Sequence, residues 1–200
     1  MSQDIRICFV GDSFVNGVGD LTYLGWTGRL CQNLAAQGFA ITYYNLGVRR
    51  ESVDIGGRWE LETTPRLPKG CDNRIVFSFG TNDTTRENGQ QRVSEQDSLK
   101  HCRQILSMAS QQYLTFMISP PPIADAQQNI RTKQLCEDFL RVCEELEIPF
   151  LDIFTPLSQS TVWQAALEGG DGAHPSGEGY AEIARLIQSW ASWKTWFNMP

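Results

Sequence analysis

The sequence predicts an α/β fold built on a parallel sheet covered on both faces, and three observations carry that prediction. Short apolar runs rich in β-branched and aromatic residues alternate with amphipathic stretches along all 200 residues. The runs are bounded by Gly, Pro or Asn, which close strands into turns. Strand-helix alternation of this kind is the pattern of a parallel sheet with helices on each side.

The elements follow in order. IRICFV (5–10) is the first strand, a helix lies near 25–37, and AITYYNL (40–46) is the second strand. RIVFSF (74–79) is the third, with a helix near 92–111. LTFMIS (114–119) is the fourth, followed by a helix near 126–146 in which Ile130, Leu135, Phe139, Val142, Cys143 and Leu146 recur at helical spacing. IPFLDI (148–153) is the fifth, and a last helix lies near 177–194. The connections 47–73, 80–91 and 154–176 are long, and loops beyond ~12–15 residues in a compact domain are usually functional or disordered. No repeat, low-complexity tract or linker divides the chain, so one domain over 1–200 is expected.

Composition excludes several function classes. A chain of this size buries roughly 70% of its unfolded surface and needs no metal or disulfide staple. Its 23 acidic and 17 basic residues leave a net charge of −6, which opposes a broad grip on nucleic acid or anionic lipid. The N-terminal MSQDIRICFVGDS has no basic leader, and its run ICFV is too short for a signal-peptide core. No stretch reaches the ~18 apolar residues of a membrane span, so a cytoplasmic protein without stable membrane insertion is expected. Cys8, Cys31, Cys71, Cys102, Cys136 and Cys143 are scattered and read as reduced, mostly packing residues. With only His101 and His174 as histidines, a structural zinc cluster is not expected.

In a parallel α/β sheet, ligands sit outside the carboxyl ends of the strands, where the strand order reverses. The first strand ends at Gly11-Asp12-Ser13, the second at Asn45-Leu46-Gly47 and the third at Gly80-Thr81-Asn82-Asp83. With the order 2-1-3-4-5, the first strand lies between the second and third, each ~4.8 Å away, and Ser13, Gly47 and Asn82 converge. A hydroxyl, an exposed backbone N–H and a side-chain amide suit acyl transfer. They supply a nucleophile and two donors for the oxygen that turns negative in a tetrahedral intermediate.

Serine needs a base to remove its proton. GGDGAHPSGEGY (169–180) places Asp171 and His174 three apart in a Gly-rich turn before a proline-initiated helix, so both side chains can face the same way. Histidine ordinarily titrates near ~6.5, suited to moving protons at neutral pH, and an aspartate beside it holds the ring in the correct tautomer. The fifth strand lies ~15 Å from the first by three strand spacings. The long connection after Ile153 covers that distance at ~3.3 Å per residue.

Gly11-Asp12-Ser13, Gly47, Gly80-Thr81-Asn82-Asp83 and Asp171-Gly172-Ala173-His174-Pro175 together resemble the four signature blocks of the SGNH, or GDSL-type, hydrolases. They stand in that family's order and span nearly the whole chain. The resemblance implies a flavodoxin-like three-layer α/β/α sandwich with a five-stranded parallel sheet of order 2-1-3-4-5. It implies Ser13 as nucleophile, Asp171 and His174 completing a triad, and the Ser13 N–H, the Gly47 N–H and the Asn82 side chain as oxyanion hole. Small acyl esters or thioesters are the implied substrates, with no cofactor. Phe14 stands where the name-giving motif has Leu, an apolar packing position in either case.

Each block alone has a plainer reading. Gly-Asp-Ser is three turn-forming residues, Gly47 a turn glycine, Asn82 an Asx-turn residue and His174 a helix cap. Their occurrence together and in order favours catalysis. Two other classes compete. A non-catalytic module on the same scaffold would hold an acylated or anionic ligand, and a fluorophosphonate probe would leave its Ser13 unlabelled. A doubly wound cofactor-binding protein would carry bound nucleotide on purification. Yet Gly17-Val18-Gly19 lacks the third glycine of a dinucleotide loop, no Walker lysine follows, and an Asp171/His174 metal pair lacks further ligands. His101, in a polar helical stretch, reads as a surface residue. Trp190, Trp193 and Trp196 read as a terminal helix packed on the sheet or as a partner or membrane surface, the first being favoured. Arg49, Arg50, Arg58 and Trp59 read as substrate contacts or as solvated loop residues beside the site.

Overall fold

The structure, a computed structural model, describes residues 4–52 and 57–199. Its elements in chain order are β1 (Ile5–Gly11), α1 (Ser13–Asn16), α2 (Gly25–Ala36), β2 (Ile41–Gly47), α3 (Arg58–Thr63) and β3 (Asp72–Ser78). A small hairpin of β4 (Arg86–Glu87) and β5 (Gln90–Gln91) follows, then α4 (Glu95–Ser110), β6 (Leu114–Ile118), α5 (Ala126–Glu145) and β7 (Phe150–Leu151). The chain closes through α6 (Phe154–Ser158), α7 (Thr161–Glu168), α8 (Gly177–Ser189) and α9 (Ala191–Trp196).

Strand alternation sorts the layers. Successive side chains of a strand point to opposite faces, so Ile5, Ile7 and Phe9 of β1 face one side and Cys8 and Val10 the other, all buried. The first set packs with Phe14 of α1, Trp26 and Leu30 of α2, Ile183 and Ile187 of α8 and Trp193 of α9. The second packs with Trp59 of α3, Ile105 and Leu106 of α4 and Leu135 and Phe139 of α5. The large sheet is therefore covered on both faces. Its five strands are all parallel in the order β2-β1-β3-β6-β7, the arrangement expected, with β6 and β7 as the fourth and fifth strands. At the carboxyl ends Gly11 is in register with Gly47 on one side and Ser78 on the other.

Helix starts carry the expected chemistry. Ser94 caps α4, its Oγ accepting the Asp97 N–H at 3.1 Å. The Asp125 carboxylate caps α5 by accepting the N–H groups of Gln127 at 2.8 Å and Gln128 at 2.9 Å.

Several expectations need correction. The connections 47–73, 80–91 and 154–176 are not bare loops: they hold α3, the β4–β5 hairpin, and α6 with α7. Residues 53–56 of the first connection lie outside the described residues. The helix expected over 177–194 is two, because Trp190 is extended (φ −71, ψ 129) and lays its ring against Phe116 at 4.6 Å. Trp193 is buried and Trp196 stacks on Phe116 at 3.5 Å, so the terminal tryptophans pack on the sheet. Ile130 is 65% exposed and stands outside the core that its spacing suggested. His101 is half-buried rather than on the surface.

Among the described residues no helix is long and apolar enough to cross a membrane. Five cysteines are buried and Cys71 is half-buried. Burial pushes the thiols of Cys8, Cys31 and Cys143 up to about 12, which suits packing rather than reactivity.

Candidate active site

β1 leaves the core at Gly11, and Asp12 caps the single turn of α1 by accepting the Phe14 N–H at 2.9 Å. Ser13 is thus the first residue of a helix, with an N–H that has no intrahelical acceptor. Two glycines permit this seat. A Cβ on Gly11 would lie 1.9 Å from the Ser78 carbonyl oxygen, and one on Gly47 would lie 2.2 Å from the Asn16 nitrogen. A side chain on Gly11 would collide with β3 and with Val15 of α1, and one on Gly47 would drive α1 away from the strand ends.

His174 reaches Ser13 from the turn before α8, its Nε2 2.8 Å from the Ser13 Oγ. Its Nδ1 is 2.7 Å from Asp171 Oδ2. Asp171 Oδ1 accepts the N–H groups of Ala173 at 2.9 Å and His174 at 2.8 Å. Partial burial pushes the Asp171 carboxyl up, but the His174 N–H, the His174 ring and the Ala173 N–H outweigh it and hold the group at about 2. Asp171 is therefore ionised at neutral pH and can only accept. The proton between it and the ring belongs to Nδ1, which leaves the Nε2 lone pair facing the Ser13 hydroxyl. Phe14 backs the imidazole with ring centroids 5.4 Å apart.

The other predicted residues also gather at these strand ends, but their donors are engaged. The Gly47 N–H, expected to be exposed, donates to Asn45 Oδ1 at 3.0 Å. Asn82 Nδ2 donates to the Glu51 carbonyl at 2.9 Å and to Asp12 Oδ2 at 3.3 Å. The turn carrying Asn82 is tied to the helices behind it: Ser98 of α4 donates to Asp83 at 2.9 Å, and Gln128 of α5 donates to the Thr81 carbonyl at 2.8 Å. Among the described residues no group of three His, Cys, Asp or Glu is placed to hold a metal ion.

Of the four residues read as lying beside the site, two line a hollow. Arg49 and Arg50 border a cavity of about 490 Å3 with Val48, Glu51, Ser52, Arg92 and Val93. Trp59 is fully buried against Phe77 at 5.7 Å. Arg58 pairs with Glu51 and Glu62 and caps the Leu46 carbonyl at 3.2 Å. A second hollow of about 180 Å3 lies by Asp171 and His174, lined also by Val18, Gly19 and Ala166.

Asp12, Asn45 and Arg92 are the site residues that the sequence did not single out. Asp12 had a signal, since a carboxylate beside a candidate nucleophile at a strand end is unusual for a buried position. It is 2% exposed, and burial pushes its carboxyl up to about 7. The Phe14 N–H opposes that rise, and Asp83 and Glu51 add to it. The folded chain holds this proton more tightly than the unfolded chain. The contribution of Asp12 to stability is therefore full below the ordinary carboxylate value of ~4 and is lost as pH rises through about 7. Asp12→Asn keeps a capping oxygen and cannot ionise. Its Tm relative to the parent chain is expected to improve from pH 5 to about pH 7 and to level off above that. A Tm difference that stays constant over that range contradicts this assignment.

Comparison with known proteins bears on the family and the fold. Residues 9–182 match the model of the GDSL-like lipase/acylhydrolase family. Among solved structures, the acetylxylan esterase Axe2 from Geobacillus stearothermophilus superposes with a TM-score of 0.77 at 18% identity, over 94% of each chain. A lipase/acylhydrolase from Enterococcus faecalis gives 0.75 at 20% identity, over 92% of this chain and 93% of that one. The psychrotrophic esterase EstA from Pseudoalteromonas sp. gives 0.74 at 16% identity, over 98% and 100%. No curated protein sequence is a significant match. Such low identities speak for the fold alone, whereas the family match spans most of the chain and includes all four signature blocks in full, with Ser13, Gly47, Asn82, Asp171 and His174 inside it. The chain belongs to the GDSL-like lipase/acylhydrolase family of ester-hydrolysing enzymes.

Proposed function

We propose that the protein hydrolyses a small carboxylic ester or thioester through an acyl-enzyme on Ser13. The observation that carries this reading is the continuous chain from Asp171 through His174 to Ser13, with links of 2.7 and 2.8 Å. His174 Nε2 takes the hydroxyl proton as Ser13 Oγ attacks the carbonyl carbon, and Asp171 stabilises the imidazolium that forms. The same Nε2–H then protonates the departing alcohol or thiol. Water enters and gives its proton to Nε2 as it attacks the acyl carbon, and Nε2 then returns that proton to the departing Ser13 Oγ as the acid is released.

Three donors are assigned to the oxyanion: the Ser13 N–H, the Gly47 N–H and the Asn82 amide. Two of them rest on neutral acceptors, Asn45 Oδ1 and the Glu51 carbonyl, and the Asn82 amide also makes a longer contact of 3.3 Å to the Asp12 carboxyl, whose proton burial retains up to about 7. A hydrogen bond to an ionised acceptor is roughly twice as strong as one to a neutral group, so a developing oxyanion competes well for both. The two hollows near His174 and Asn82, about 180 and 490 Å3, suit the two ends of a small substrate.

Asn82 gives the discriminating experiment, because its contribution grows as the carbonyl oxygen gains charge. Asn82→Ala is expected to lower kcat by about 10²–10³, or about 3–4 kcal/mol, with KM little changed. Steady-state kinetics on a nitrophenyl ester reads both constants. A normal kcat with a raised KM would show that Asn82 binds substrate uniformly and that the oxyanion is held elsewhere.

A further inference from the structure

An asparagine serves an oxyanion only in one of its two amide orientations, with the NH2 rather than the oxygen toward the reacting carbonyl. At Asn82 the choice is made by a residue outside the triad. Arg92 Nη1 lies 3.2 Å from Asn82 Oδ1, and a guanidinium has donors but no acceptor. Turning the amide over would set its NH2 against the Arg92 N–H. It would also set Oδ1 against the Glu51 carbonyl and the Asp12 carboxyl, which now accept from Nδ2.

Arg92 is itself held from three directions. Its Nη2 donates to Glu87 Oε1 at 2.6 Å and its Nη1 to the Arg50 carbonyl at 3.3 Å. Its backbone N–H donates to the Thr85 carbonyl at 2.8 Å, closing the β4–β5 hairpin. Glu87 stands on β4 and Arg92 just past β5, so the hairpin fixes their spacing, with positive φ at Asn88 and Gly89 making the turn. The Arg92 side chain is 20% exposed, against 78% for that of Arg50, which also reaches Glu87. The Arg50 pair is a solvent-screened surface contact, whereas the Arg92 link to Asn82 is sheltered.

We infer that Arg92 is a positioning residue of the oxyanion hole. It fixes the Asn82 amide with Oδ1 toward the guanidinium and its NH2 turned the other way, toward Asp12 and the Glu51 carbonyl, and its charge on Oδ1 draws electron density from the amide nitrogen, making the N–H a stronger donor. This rests on the assignment of Asn82 as an oxyanion donor. The rival role comes from the cavity that Arg92 shares with Arg49 and Arg50, where it would grip substrate directly.

A double-mutant cycle with Arg92→Met and Asn82→Ala, read as kcat and KM separately on a nitrophenyl ester, tests the inference. Groups that stand behind metal ligands and orient them typically command roughly 10–100-fold in activity, and by the same logic Arg92→Met alone is expected to lower kcat within that range with KM little changed. In the Asn82→Ala background the same substitution is expected to cost less than about twofold, since the amide it orients is gone. Arg92→Lys keeps the charge but not the fork and is expected to recover part of the loss. An Asn82→Ala enzyme with normal kcat removes the oxyanion assignment itself, and the inference with it. A slow Asn82→Ala enzyme in which Arg92→Met still costs its full factor overturns the inference alone. A raised KM with unchanged kcat in Arg92→Met assigns the guanidinium to substrate and also overturns it.

Discussion

His174→Ala is expected to lower kcat by roughly 10⁶ for every ester the protein turns over, the scale on which loss of a triad base acts. The Ser13 hydroxyl then has no acceptor for its proton, and the leaving group has no donor. The fold should survive. Asp171 Oδ1 is held by the backbone N–H groups of Ala173 and His174, which alanine retains, so the turn keeps its shape. The lost packing is chiefly the face turned to Phe14. Activity and Tm measured on one preparation separate chemistry from unfolding. A variant with normal Tm and more than a tenth of the parent kcat would mean that another group takes the proton.

Asp171→Asn is expected to lower kcat by about 10⁴, and the contacts of Asp171 say why. Its Oδ1 would remain an acceptor for the two backbone N–H groups, so the new amide is anchored with its NH2 in the place of Oδ2. That NH2 faces His174 Nδ1, now 2.7 Å from a carboxylate oxygen. Two donors cannot share the contact, so the imidazole must move its proton to Nε2 and point an N–H at Ser13. The geometry is kept and the base is lost. Nitrogen NMR of the ring reads the tautomer directly. An Asp171→Asn enzyme that retains an Nδ1–H tautomer while still losing activity would require another explanation for the aspartate.

The β1, β2 and β3 strands and helices α2 and α5 were legible in the sequence because their patterns run long enough to show a period. In β1, five buried residues alternate cleanly between two cores. A parallel sheet also gathers its chemistry at one edge, which is why Ser13, Gly47 and Asn82 could be named from strand ends alone. Short elements hid. α3 has six residues, α6 five and α7 eight, too few turns to display a stripe. Trp59 therefore looked like a loop residue although it is fully buried. The break at Trp190 comes from a ring packing on Phe116 across the fold, a tertiary effect that helical spacing cannot carry. The same holds for the site's electrostatics. No spacing rule places Arg92 behind Asn82, because the hairpin that brings it there is only two residues per strand. Nor could it reveal that Asn45 turns back on the Gly47 N–H.

The central claim is that Ser13 is an activated nucleophile, and covalent labelling tests it most directly. A fluorophosphonate reacts with a serine whose proton is being removed by a base and whose neighbouring donors receive the phosphoryl oxygen. Peptide mass spectrometry of the treated protein is expected to find one stoichiometric adduct, on Ser13, and none in Ser13→Ala. Ester hydrolysis that continues in Ser13→Ala, or a fully active protein whose Ser13 peptide stays unmodified by the probe, would contradict the account.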